Sequence, residues 1–280
     1  MKKILFIFTG MLIANLSYSQ GSFSNQNQDS EKFIKITSGL NIVKMRDMAT
    51  SPLFYTGGLK HFELGYVKWK EGKERNLSFS TSIGKANNTT NDHTASAQVS
   101  IYNISYSKLY PIWQQDKWNL KVGGQLSNSF HIRNNPSFQN NATGLEVFST
   151  LFASGKLSWN ISNKEKKRAK FLFIPMNFKP RKRELSFRVN LAVMNNTYRN
   201  GYAYNNNSAI TNDPDVFDDY QLKIFSGYRL GTELNYTVFL KNKNAIRLGY
   251  EFDAYKTGGN LDKFEMANYK LKISLLFKTK

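Results

Sequence analysis

The sequence predicts an all-β chain, an antiparallel transmembrane β-barrel of about 10 strands, with 12 strands as the alternative. Three observations carry that prediction. Apolar and polar residues alternate in long segments from residue 33 to the end. A strand directs successive side chains to opposite faces, so each segment has one greasy and one polar face. The segments reach the length of about 9–11 residues that a tilted strand needs to cross a bilayer, and nothing after residue 19 is an apolar run long enough for a spanning helix. The third observation is the N-terminus, which reads as an export signal.

That signal has Lys2 and Lys3 as its basic end, Ile4 to Leu16 as its apolar stretch and Ser17-Tyr18-Ser19 as small residues for cleavage. The expected cut follows Ser19 and leaves Gln20 first. A polar segment, 20–32, precedes the barrel domain, 33–280.

Alternation runs over 33–43, 58–69, 76–86, 96–109, 118–132, 145–160, 184–195, 221–239, 245–256 and 267–278. In 76–86, Leu77, Phe79 and Ile83 oppose Ser78, Ser80, Ser82 and Gly84. In 184–193, Leu185, Phe187, Val189, Leu191 and Val193 oppose Ser186, Arg188 and Asn190. In 245–256, Ile246, Leu248, Tyr250, Phe252 and Ala254 oppose Arg247, Gly249, Glu251 and Asp253. The fourth segment slips phase near Ile101-Tyr102, which reads as a bulge. All six prolines, Pro52, Pro111, Pro136, Pro175, Pro180 and Pro214, fall outside these segments, as a residue without a backbone donor should. Residues 170–178 carry Pro175 in their middle, and a strand there breaks the in–out parity. The stretch 161–183 is therefore read as a long connection holding a short apolar hairpin or half-strand.

Parity orients the barrel. With the N-terminus on the periplasmic side, the outer loops are 44–57, 87–94, 133–143, 197–220 and 257–266, and their charges total −3. The inner connections 70–76, 110–118, 162–184 and 241–244 total +10. The chain's net charge of +19 would by itself suit nucleic acid or an anionic membrane surface. Export removes the nucleic-acid reading. The absence of cysteine removes disulfides and lipid attachment through a thiol. Aromatics at 14% suit belts at the two bilayer interfaces.

The closing strand sets Tyr269, Leu271, Ile273, Leu275 and Phe277 against Lys270, Lys272 and Ser274. Together with the export signal, the Ser-Tyr-Ser-Gln junction and the Asn- and Lys-rich usage, it resembles small outer-membrane β-barrel proteins of the Bacteroidetes type. Phe277 matches the late aromatic of such terminal strands, while Lys278-Thr279-Lys280 departs from their usual ending. The resemblance implies the architecture and an outer-membrane location. It implies no particular activity, because one scaffold serves many functions.

Extending the alternation aims Lys35, His61, Glu63, Lys121, Gln125, Glu146, Lys156, Arg188, Lys223, Arg229, Glu233, Arg247, Glu251, Asp253, Lys270 and Lys272 into the lumen. Nine bases and five acids give that lining a net +4. Paired charges filling a small barrel fit a structural lumen, and a cationic lining with spare room fits a narrow pore favouring anions. Ser129 and His131 share an inward face near the outer end of their strand, with Asn128 adjacent. That invites comparison with outer-membrane lipid hydrolases, which place a His-x-Ser-Asn run on one strand, although the order here is reversed and no orienting acid is evident. Two candidate ligands, His61 and Glu63, do not make a metal site. Asp213, Asp215, Asp218 and Asp219 cluster in the longest outer loop, as a weak calcium ligand set or a solvated surface. Phe54 and Tyr55 are candidates for a partial plug. The basic runs Lys164, Lys166, Lys167, Arg168 and Lys179, Arg181, Lys182, Arg183 suit inner-leaflet headgroups or a docking surface. The expectation is a non-enzymatic barrel without cofactor, a structural or accessory subunit that touches outer-membrane lipid and an envelope protein. The alternatives are the anion-favouring pore and the lipid hydrolase.

Overall fold

The computed structural model describes residues 30–90, 93–141, 143–162, 167–171, 174–178, 180–200, 220–259 and 262–279. Six long strands come in order: β1 (Glu31–Asp47), β2 (Ser51–Lys70), β3 (Lys73–Thr90), β4 (His93–Gln115), β5 (Trp118–Asn134) and β6 (Thr143–Asn160). A small hairpin, β7 (Lys167–Phe171) with β8 (Ile174–Phe178), stands apart from the main sheet. Then come β9 (Arg183–Asn200), the short β10 (Tyr220–Lys223), β11 (Tyr228–Phe239), β12 (Ala245–Lys256) and β13 (Phe264–Thr279). Each neighbouring pair is antiparallel, β1 pairs with β13, and β6 pairs with β9, so the sheet closes. β10 and β11 both pair with β9 and act as one stave interrupted at 224–227, where Phe225 (φ 54°) and Gly227 (φ 71°) turn the chain. The barrel therefore has 10 staves, and the region 161–183 holds the expected hairpin rather than an eleventh stave.

The end that carries the short β2–β3 and β4–β5 turns is taken as the inner one, with the N-terminus on that side. Glu71 (φ 54°) and Gly72 (φ 74°) form the β2–β3 turn, the positive-φ pair that suits a two-residue hairpin. Just above this end, the outward side chains of β1–β4 stack in rows fixed by register. The rows Ile34–Tyr66–Leu77–Tyr106 and Ile36–Leu64–Phe79–Ile104 belong to the lipid belt. Directly below lies the row Lys32–Lys68–Arg75–Lys108. Trp118 and Trp159 stack nearby with centroids 5.1 Å apart, an aromatic girdle at headgroup level. Toward the outer end the outward row becomes Lys44–Thr56–Asn87–Ser96, and the wall leaves the bilayer.

Several expectations need correction. Residue 101 carries no bulge: β4 keeps register with β3 from Thr94 to Leu109, and Ala97, Val99, Ile101, Asn103, Ser105 and Ser107 all point inward. The chemistry is what changes there. Above this level the inward side chains are apolar, and below it the outward ones are. A bulge does lie in β9, where Val193 is the extra residue and the inward set passes from Ser186, Arg188 and Asn190 to Asn195, Thr197 and Arg199. The strands also overrun the predicted segments, so Pro52 and Pro111 lie inside β2 and β4. Pro52 is the second residue of its strand, and Pro111 sits at a register shift, the two places where a missing donor is tolerated. Tyr55 folds into the lumen as expected, but Phe54 points outward beneath Lys44 and Arg46.

Candidate functional site: a lumen in three tiers

The outer tier is a dry core. Val43 and Met45 from β1, Tyr55 and Leu59 from β2, Val99 from β4, Phe148 from β6, Tyr255 from β12 and Phe264 and Met266 from β13 pack together inside the wall. The rings of Phe148, Tyr255 and Phe264 lie with centroids 5.0–5.9 Å apart. An ionic lid covers them. Arg133 holds Asp47 at 2.5 Å and also pairs with Glu146, while Arg199 holds Asp47 at 2.7 Å. Both guanidiniums lie over the Phe264 ring, at 5.0 and 5.3 Å.

The inner tier is smaller. Phe33, Val67, Ala245 and Leu276 cluster, with Trp69 and Phe239 against them. Phe33 and Trp69 have ring centroids 4.8 Å apart.

Between these tiers the lumen is polar. Lys35 pairs with Glu63 at 2.6 Å, and Arg229 with Asp253 at 2.7 Å. Glu74 takes both Lys121 (3.1 Å) and Lys156 (2.8 Å). Glu251 takes Lys270 (2.7 Å) and Lys272, and Lys272 also reaches Glu233 at 3.1 Å. Hydroxyls pair along the wall between adjacent strands, as in Thr37 with Ser274 and Ser78 with Ser105. A polar cavity of about 100 Å³ remains, with Lys35, His61, Glu63, Arg188, Arg247 and Lys272 among its lining.

The predicted lining residues all belong to this interior, with Lys223 at the outer rim bonded to Asp262. Five further members escape a reading of the sequence: Asp47, Glu74, Arg133, Arg199 and Asp262. Each falls in a segment read as a connection, although the alternation of Ser78, Ser80 and Ser82 continues back to Glu74 and signals its inward face. Ser129 and His131 face inward as expected, but they do not form a dyad. Ser129 donates to Asn103 at 2.8 Å, and the His131 ring lies 3.0 Å from the Tyr255 hydroxyl within the aromatic cluster. His61 and Glu63 also take separate partners, Ser82 and Lys35. No group of metal-ligating side chains forms among the described residues.

Of the basic runs, Lys182 is exposed with its ammonium 4.7 Å from the Phe239 ring centroid, and Arg183 is buried at the start of β9. Arg181 is half-buried, and Lys167 and Arg168 belong to β7. Lys164, Lys166 and Lys179, the acidic group Asp213, Asp215, Asp218 and Asp219, and the export signal lie outside the described residues.

No protein-family model matches the chain, and no curated protein matches it in sequence. Solved structures do. The outer-membrane protease OmpT from Escherichia coli superposes with a TM-score of 0.50 at 8% identity, over 93% of this chain and 99% of that one. The transport unit of the autotransporter AIDA-I, also from Escherichia coli, gives 0.45 at 8% identity, over 95% of each chain. Neisserial surface protein A gives 0.35 at 8% identity, over 88% and 97%. Identities this low speak to fold alone. Joined to the closed sheet and its apolar belt, the likeness makes the chain an antiparallel 10-stranded β-barrel of the outer membrane.

Proposed function

We propose that the protein is a non-enzymatic barrel with a filled lumen, a structural or accessory subunit that partners another component of the envelope. The observation that carries this reading is the apolar core in each end of the lumen. A polar solute must leave water to pass such a constriction, which acts as a closed gate. The ion pairs of the middle tier support the same reading, since Glu63, Glu74, Glu233, Glu251 and Asp253 are each held by a lysine or an arginine. The inner connection 162–184, with its +7 total charge, is the proposed docking surface for an acidic envelope partner.

Single-channel recording in planar bilayers tests it. A heat-modifiable, properly folded barrel is expected to stay silent. Steady anion-selective conductance that falls when Arg188, Arg229 and Arg247 are neutralised would overturn the filled lumen in favour of the narrow pore. The cavity at mid-height favours that second reading. A lipid hydrolase receives no such support, because Ser129 and His131 are each engaged elsewhere and buried.

A further inference from the structure

The middle chamber holds more positive charge than its walls neutralise. Around it, five lysines (Lys35, Lys121, Lys156, Lys270, Lys272) and two arginines (Arg188, Arg247) face four carboxylates, Glu63, Glu74, Glu233 and Glu251. The carboxylates are taken up by the lysines, which leaves a surplus of three cations. Among the described residues, neither arginine meets a carboxylate within ion-pair distance. Arg188 donates there only to neutral acceptors, Asn190, Ser107, Gln125 and Ser154. For Arg247, Thr237 at 2.9 Å is the one hydrogen-bond acceptor among the described residues, and it meets Nε, not the two terminal nitrogens. The next carboxylate toward the inner end, Glu184, accepts from Ser158 instead.

Both arginines are less than a tenth exposed, at 7% and 8%. A guanidinium cannot shed its charge by deprotonation. Uncompensated charge in a bilayer-embedded interior is costly, so the two guanidiniums favour a small anion beside them. The donors for it are present. His61, 1% exposed, bonds Ser82 through Nδ1 at 2.8 Å, and its Nε2 has no partner among the described residues. In the tautomer whose Nδ1 accepts from the Ser82 hydroxyl, Nε2 carries a hydrogen and is free to donate to an anion.

We propose that the middle chamber is a binding site for a small inorganic anion, of halide or tetrahedral oxyanion size, held by Arg188 and Arg247. The cavity of about 100 Å³ accommodates one such ion with a few waters. The proposal rests on the filled-lumen reading and deepens it: the anion is a trapped structural counter-ion, not a permeant one.

The test refolds the protein with bromide as the only small anion, then replaces the outer solution with gluconate. About one bromide per barrel is expected to stay bound after exchange, and crystals grown in bromide should show an anomalous peak beside Arg188 and Arg247. The double variant Arg188→Gln/Arg247→Gln, checked for heat-modifiable migration, should retain at least about tenfold less. Each single variant gives the same readout if the double variant does not fold. No peak in bromide crystals, or unchanged retention in a folded variant, overturns the site. A peak whose bromide leaves at once on exchange upholds the site and overturns the closed lumen, so the two proposals fail separately.

Discussion

Two buried residues show how differently the tiers are held. Phe148 is 1% exposed at the centre of the outer tier, touching Tyr255, Phe264 and His131. Its stabilisation is apolar burial plus ring contact. Phe148→Ala should cost about 3–5 kcal/mol in urea unfolding of the folded barrel, because the staves around it cannot close the hole. Glu74 does a different job. It is the shared acceptor of Lys121 and Lys156, so Glu74→Gln leaves two buried ammonium groups without a countercharge and should cost about 3–5 kcal/mol by the same measurement. The exposed Glu71 beside Lys73 at 3.4 Å serves as control, and Glu71→Gln should leave the unfolding curve unmoved. A variant of Glu74 as mild as that of Glu71 would contradict the buried pairing of Glu74 with its two lysines.

At the scale of one strand, β4 carries the whole architecture. From Gln115 upward, Tyr106 and Ile104 meet lipid; beyond Ile101, Val99 and Ala97 enter the dry core. Position within the same strand therefore decides the cost of a charge. Ile104→Lys, on the belt, should cost about 2–4 kcal/mol. Gln98→Lys, outward but above the belt, should be within about 0.5 kcal/mol of wild type. Unfolding from vesicles reads both, and equal costs would refute the switch. This switch also explains what the sequence hides. Where one face is apolar throughout, as in Tyr269 to Phe277, strand and orientation are legible from alternation alone. Where the apolar face changes sides at unbroken register, alternation imitates a bulge, as at Ile101-Tyr102. The strand ends are hidden for a related reason. Asp47, Glu74, Arg133 and Arg199 are charged, and near a turn a charge reads as loop. Only closure of the sheet reveals that they meet partners inside. The bulge at Val193 leaves no trace, because Leu191 and Val193 both face outward and the extra residue shifts only the positions after it.

For the molecule as a whole, the three tiers join two solubility regimes in one sheet. Within the bilayer the barrel is greasy outside and polar inside. Above the bilayer it is an ordinary soluble barrel, polar outside around an apolar core. The row Lys32–Lys68–Arg75–Lys108 marks the lower boundary, and Lys44–Thr56–Asn87–Ser96 already stands above the upper one. Closure depends on the first and last strands meeting along Lys32 to Asp47. The least local contact in the chain is thus also among its longest, and it completes both regimes at once.

The strands' overrun beyond the belt has a consequence for whatever touches this cell from outside. β3 and β4 remain paired from Ile83 and Ser100 up to Thr90 and His93, about 18 Å past the lipid at 3.3 Å per residue and a 40° tilt. An antibody or a bacteriophage approaching that flank meets a stiff, hydrogen-bonded turret with its own dry filling. Such a surface keeps its shape without lipid, and its outward polar residues can be exchanged while the wall stays unchanged.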